Sequence, residues 1–237
     1  MCTVTFLPTS KNGFVLTSNR DEHFLRPLAI PPADYLVNDV LLSFPKDPTG
    51  GGTWIALERN KTVVCLLNGA FLPHTRKIVY RRSRGLVVLD FFNYKNVEAF
   101  SSNYDFNDIE PFTLIVVCNN EFVELTEIRW DGENVHFKKL DATLSVIWSS
   151  CTLYEKTIAD TRQRWFDAWK EEQSITTIES IKDFHQSAGK GDSTNGLIMN
   201  RENGIRTVSI TSIICNSEKS EIHYSDLINN QHYLHCL

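Results

Sequence analysis

The sequence predicts an α+β protein with helices layered on mainly antiparallel sheets. Three observations carry this. Short runs rich in β-branched and aromatic residues, punctuated by Asn, Gly and Asp turn signals, open the chain, return in its middle and close it. Two blocks break that pattern with helical spacing, near 83–101 and 153–187. No internal repeat, low-complexity segment or linker divides the 237 residues, so the chain reads as a single domain, 1–237, long enough to bury a sizeable core.

In order along the chain, Thr3 to Leu7 and Phe14 to Ser18 are strand-like runs around Lys11-Asn12-Gly13, a hairpin signal. Trp54 to Glu58 and Thr62 to Leu67 repeat the design around Arg59-Asn60-Lys61. Ser83 to Asn93 lacks strict alternation and reads as a helix, with a shorter one at Val97 to Ser101. Phe112 to Cys118, Phe122 to Ile128, Val135 to Leu140 and Leu144 to Trp148 read as a meander, with turns at Asn119-Asn120 and Asp131-Gly132. Residues 153–171 form the clearest helix, with Tyr154, Ile158, Thr161, Trp165, Phe166 and Trp169 on one stripe that suits core packing. A second helix fits Thr177 to Ser187, with Ile178, Ile181 and Phe184 inward. Strands return at Leu197 to Asn200, Thr207 to Cys215 and Glu221 to Tyr224.

Composition narrows the function classes. Hydrophobic residues make 42% and charged residues 22%, ordinary values for a globular protein, and the net charge is −5, so nucleic acid is not an expected partner. No apolar run approaches the roughly 18 residues of a membrane helix. No basic segment followed by an apolar stretch marks a signal peptide, and a cytoplasmic location is expected. The six cysteines, at 2, 65, 118, 151, 215 and 236, are scattered without a CxxC pair. They read as free thiols rather than a zinc site, with Cys65, Cys118 and Cys215 as small buried hydrophobes in apolar runs.

The opening hairpin concentrates chemistry. With Lys11 and Asn12 as the loop, Cys2 faces Asp21; with Asn12 and Gly13, Cys2 faces His23. Cross-strand partners and residues two apart share a face, so both registers place Cys2 and Asp21 together, and Arg20 on the opposite face unless a bulge turns it. Removal of Met1 would free the α-amine of Cys2. An amine of pKa about 7.7–8.0 is matched to a thiol of about 8.5, so the nucleophile carries its own base. A nearby guanidinium favours the thiolate, and a carboxylate can orient the amine.

Cys2, Ser18-Asn19-Arg20-Asp21-Glu22, Gly51-Gly52-Thr53-Trp54 and Ser83-Arg84-Gly85 stand together in this chain, followed by Phe112-Thr113-Leu114-Ile115 and Arg206-Thr207-Val208-Ser209. In this combination the chain resembles the NRDE family, also called the transport-and-Golgi-organisation family. That family is similar to the N-terminal-nucleophile hydrolases, the group of bile-salt hydrolases and penicillin V acylases. The resemblance implies a four-layer αββα sandwich of two mainly antiparallel sheets and cleavage of a non-peptide C–N bond through an acyl-enzyme. It also implies roles. Cys2 matches the nucleophile, Asp21 the carboxylate near its amine, Arg20 the active-site arginine, and Asn68 the asparagine that holds the oxyanion, a donor worth about 10²–10³ in rate. Where the family usually shows a Ser-Asn pair this chain reads Ser149-Ser150, so Ser150 stands in the asparagine's place.

The expected partner is a small-molecule amide or acyl substrate, and the reaction requires no metal or cofactor. Two other readings share the scaffold: a carrier of haem or an acyl lipid without turnover, and an acyltransferase in which an amine replaces water. A carrier should bind its ligand equally well after Cys2→Ala. Gly50-Gly51-Gly52 lacks the Lys-Ser/Thr ending of a phosphate loop and reads as a tight turn or a close backbone approach. The basic stretch His74 to Arg84 is either a solvated face or a grip on a substrate carboxylate or phosphate. His232, His235 and Cys236 are potential metal ligands, though a mobile tail is the expectation there.

Overall fold

The computed structural model describes residues 3–9, 12–173 and 177–237. Two antiparallel sheets stack face to face, and helices cover the outer face of each, giving the four layers αββα.

The first sheet contains β1 (Thr3–Thr9), β2 (Gly13–His23), β10 (Val146–Ser149), β11 (Ile205–Cys215), β12 (Ser220–Asp226) and β13 (Gln231–Cys236), ordered β10-β1-β2-β11-β12-β13. The second contains β3 (Ile30–Val37), β4 (Val40–Lys46), β5 (Ile55–Glu58), β6 (Thr62–Asn68), β7 (Phe112–Asn119), β8 (Val123–Trp130) and β9 (Val135–Leu140), in chain order. Helices α1 (Arg84–Asp90) and α2 (Val97–Asn103), joined through a 3-10 turn at Phe91–Asn93, lie on the second sheet. Helices α3 (Lys156–Glu172) and α4 (Ile178–Ser187) lie on the first.

Alternation along each strand builds the layers. From β1 and β2, Val4, Phe6, Phe14 and Leu16 point between the sheets and meet Trp54, Leu57 and Ile115 of the second. Leu7 and Val15 point outward to Phe166 of α3 and to Ile181 and Phe184 of α4. Across the second sheet, Val64, Leu114 and Val116 pack on Val87, Val88 and Phe100. Helix α4 starts with a capping box between Thr177 and Ser180, which satisfies two orphan backbone donors. Among the described residues no helix is long and apolar enough to cross a membrane.

Several local expectations change. The opening hairpin pairs Thr3 with Asn19 and Thr9 with Gly13, a register different from both derived from the sequence. Asn12 has a φ of 50°, the left-handed residue typical of a three-residue hairpin connection, so the loop is one residue longer than a two-residue turn. The Asn-Arg-Asp-Glu stretch lies inside β2 rather than beyond it. The fourth strand of the meander, β10, leaves its neighbours and pairs with β1 of the other sheet. Leu197 to Asn200 is no strand; Asn200 makes only an isolated bridge to Arg206. The expected mobile tail is the edge strand β13, where His235 Nε2 lies 2.7 Å from Asp34 Oδ1 of β3 and His232 Nδ1 lies 3.0 Å from Ser225 Oγ.

Candidate active site

A cavity of about 430 Å³ opens between the sheets where β2 and β6 end, a usual size for a small-molecule site. Arg20 and Glu22 enter from β2, Leu66 and Asn68 from β6, and Gly52, Thr53 and Trp54 from the turn before β5. The segment 76–83, the start of α1 and Glu110 form the remaining wall.

The turn between β4 and β5 is tied by Asp47. Its Oδ1 accepts from the backbone N–H groups of Thr49 and Gly50, an Asx turn, and its backbone N–H donates to the carbonyl of Gly52. Its Oδ2 accepts from Arg26 Nη2 at 2.6 Å and Arg20 Nη2 at 3.3 Å. Burial alone would raise the Asp47 carboxyl; Arg26 outweighs it and holds the group below the usual carboxylate range. Arg20 is only 4% exposed, its guanidinium stacks 4.5 Å from the Trp54 ring centroid, and burial lowers its pKa against the pull of Glu22 and Asp47. Gly52 is close-packed as the sequence suggested: a Cβ there would lie 2.3 Å from the carbonyl carbon of Gly85, whose oxygen accepts from Thr53 N–H.

Asn68 is the last residue of β6, and its side of the strand end lines the cavity. Ser150 does not line it. The Ser150 hydroxyl is buried, donates to the Asn68 backbone carbonyl at 2.8 Å and lies 3.0 Å from Thr152 Oγ1. Next in line, Gly69 has a φ of +79°, with its N–H bonded to the Pro111 carbonyl and its carbonyl to the Thr113 hydroxyl. The end of β6 is therefore pinned from three directions.

Asp21 lies on the other side of the first sheet. Strand alternation places Asp21 with Thr3 and Asn19 toward α3 and α4, and Arg20 with Val4 and Ser18 toward the inter-sheet layer. The bulge sits in β11, between Thr207 and Ser209, opposite Arg20 and Asp21. Asp21 accepts from the Tyr154 hydroxyl at 2.8 Å and the Thr207 hydroxyl at 2.6 Å. The fully buried Arg162 of α3 stacks 3.6 Å from the Tyr154 ring centroid and donates to Thr3 Oγ1 at 2.5 Å. Cys2 lies outside the described residues, and with it the expected contact to Asp21. Arg20 and Asn68 thus share one cavity, Ser150 supports Asn68 from behind, and Asp21 belongs to a polar cluster on the helix side.

Sequence reasoning missed Asp47, Arg26, Tyr154 and Arg162. Asp47-Pro48-Thr49-Gly50 carried a turn signal, and Tyr154 was visible only as part of an aromatic stripe. The basic stretch His74 to Arg84 turns out to wall the cavity: Arg76, Arg82 and Arg84 all line it. Among the described residues no cluster of three His, Cys, Asp or Glu side chains could hold a metal.

These layers define an N-terminal-nucleophile hydrolase fold, and solved structures of that class superpose along nearly the whole chain. An N-acylethanolamine-hydrolyzing acid amidase ortholog from Caenorhabditis elegans matches with a TM-score of 0.61 and 15% identity over 90% of this chain and 92% of that one. A variant of conjugated bile acid hydrolase from Clostridium perfringens matches with a TM-score of 0.62 and 11% identity over 99% and 92%. Penicillin V acylase from Agrobacterium tumefaciens matches with a TM-score of 0.58 and 11% identity over 100% and 86%. At these identities the likeness is one of fold. No curated protein sequence matches the chain. Residues 1–218 match the family described as Transport and Golgi organisation 2, and the chain belongs to that family.

Proposed function

We propose that this protein is an N-terminal-cysteine amidohydrolase that cleaves a non-peptide amide of a small molecule in the cytoplasm. The observation that carries the reading is the pairing of Arg20 with Asn68 on one cavity, in the fold shared with the amidases named above.

In the proposed reaction Met1 is first removed. The free α-amine of Cys2 takes the thiol proton, and the thiolate attacks the amide carbon. The Asn68 side chain, held at the pinned end of β6, donates to the developing oxyanion. Ser150 positions Asn68 through its backbone carbonyl. The ammonium of Cys2 then protonates the leaving amine as the C–N bond breaks, leaving a thioester. Water adds to the thioester with the amine as base, and the carboxylic acid and free thiol are released. Arg20 supplies a fixed positive charge at the cavity, and Asp21 orients the opening of β1 through its cluster with Tyr154, Arg162 and Thr3.

The test combines intact mass with brief alkylation at pH 7. The reading expects Met1 to be absent and Cys2 to react first. Cys65 is an internal control, since burial pushes its thiol up to about 12, while the exposed Cys236 sets the rate of an ordinary surface cysteine. Cys2→Ala should abolish amine release from an amide substrate with no change in melting temperature. Retained Met1, or turnover that survives Cys2→Ala, overturns the mechanism. Unchanged ligand binding by Cys2→Ala, with no amine released by the parent chain, would instead assign a carrier.

A further inference from the structure

The charges around the cavity do not cancel evenly. On the β2 side, Arg20 and Arg26 face Glu22 and Asp47, two cations against two carboxylates. Across the cavity, Arg82 is spent in a bidentate pair with Asp90, which also accepts from the Tyr104 hydroxyl. That leaves Arg84 and Arg76 with Glu110 as their shared ion-pair partner among the described residues, at 3.2 Å and 3.8 Å, with His74 Nε2 also 3.3 Å from it and Glu22 acting on Arg84 only from farther off. Arg84 is mostly buried, at 16% side-chain exposure, and is fixed by a bond from Nη1 to the Pro111 carbonyl; Arg76 is 77% exposed. Burial pushes the Arg84 pKa down, and the repulsion of Arg76 adds to it despite Glu110. Around the cavity five guanidinium groups, Arg20, Arg26, Arg76, Arg82 and Arg84, are paired with four carboxylates, Glu22, Asp47, Asp90 and Glu110, an excess of one positive charge.

We propose that the substrate of this cavity is an anionic amide, whose carboxylate or phosphate sits between Arg76 and Arg84 while its scissile carbonyl reaches Asn68. The inference rests on the amidohydrolase reading and adds the substrate class to it. Arginine forks match both oxyanions bidentately, and the incoming charge relieves the Arg76–Arg84 repulsion. The buried Arg84 anchors the anion and the exposed Arg76 lies at its solvent side.

Binding and turnover separate the two claims. N-hexanoylglycine, N-hexanoyl-phosphoethanolamine and the neutral N-hexanoylglycinamide are titrated calorimetrically into the Cys2→Ala full chain. At least one charged probe should bind about tenfold or more tighter than the neutral one, since a charge-assisted bond is lost with the glycinamide. The tighter charged probe names the anion. Arg76→Glu should erase the preference of the charged probe over the glycinamide; the side chain is exposed, so the fold should survive. Arg84→Gln serves as a second variant, with its circular dichroism checked because Arg84 also holds Pro111. Equal binding of neutral and charged probes, no binding of either charged probe, or a preference intact in Arg76→Glu overturns the proposal. Selective binding without amine release by the parent chain leaves the anion site standing and sinks the amidase reading.

Discussion

Asn19 and His185 are bonded to each other where no solvent reaches. Asn19 Oδ1 lies 2.6 Å from His185 Nδ1, and its Nδ2 donates to the carbonyls of Leu197 and His185. An amide oxygen only accepts, so Nδ1 carries the proton and Nε2 accepts from the Thr5 hydroxyl at 2.8 Å. Both ring nitrogens are satisfied in the neutral form, and burial pushes the His185 pKa down to about 3. The first residue of the Asn-Arg-Asp-Glu stretch is thus a splice between β2 and α4, while the second faces a cavity. Asn19→Ala would strand the His185 ring N–H and carbonyl and leave the Leu197 carbonyl only its 3.2 Å bond from Thr207 Oγ1. We expect a loss of about 2–4 kcal/mol in urea denaturation, with activity falling only as the folded fraction does. A loss below about 0.5 kcal/mol would mean that the His185 groups find other partners.

At the scale of elements, β2 is the divider of the molecule. Its residues from Gly13 to Asp21 are all buried, and successive side chains go to opposite layers. A second joint lies where α1 meets the turn before β5. There Gly52→Ala would drive a Cβ into the Gly85 backbone, whereas Gly51→Ala meets nothing within 4 Å and pays only for its φ of +68°. We expect Gly52→Ala to cost about 2–3 kcal/mol and to shift α1 with Arg84, and Gly51→Ala about 1 kcal/mol. Equal melting temperatures for the two would show that the turn can slide. Much of this level was legible in the sequence. β5 to β9 and α1 to α4 follow from turn residues and periodicity, because those signals are local. What was hidden depended on distant partners. Nothing in Leu144 to Trp148 says that β10 changes sheets, since its pairing with β1 is set across more than a hundred residues. β3 was obscured by Pro31-Pro32, which its place at the sheet edge tolerates. The separation of Arg20 from Asp21 was foreseen from alternation alone, whereas Asp47 was not, because an Asx turn shows its ion pairs only once Arg26 is folded against it.

Across the whole molecule, buried ionisable groups in different layers act on stability in opposite pH ranges. His185 is nearly uncharged down to about pH 3 in the native protein, but the unfolded chain binds a proton below its ordinary value of 6.5. Its contribution is complete above that value and is lost as pH falls, by about 2 kcal/mol at pH 5. Asp47 and Glu127, both held low by arginines, extend the acid loss below the ordinary carboxylate range, as their contribution disappears when they are protonated. Cys65, between the sheets, has the opposite sign. Its native thiol is pushed up to about 12, so the unfolded chain releases a proton above the ordinary value of 9.0 while the native one does not. Stability therefore falls on the alkaline side, by about 1.4 kcal/mol at pH 10, with Tyr104 and Tyr224, both raised by burial, adding to it higher still. The urea midpoint should form a plateau between about pH 6.5 and 9 with two independent limbs. His185→Gln, which keeps an amide in the splice but cannot titrate, should flatten the limb from pH 6.5 to 5 and leave the alkaline one. Cys65→Ala should lower the plateau and make the alkaline limb shallower without touching the acid one, the remainder coming from Cys118 and Cys151, whose thiols burial also raises. If either variant changes the other's limb, or His185→Gln leaves the upper acid limb intact, the assignment of these limbs to the helix-side and inter-sheet layers is wrong.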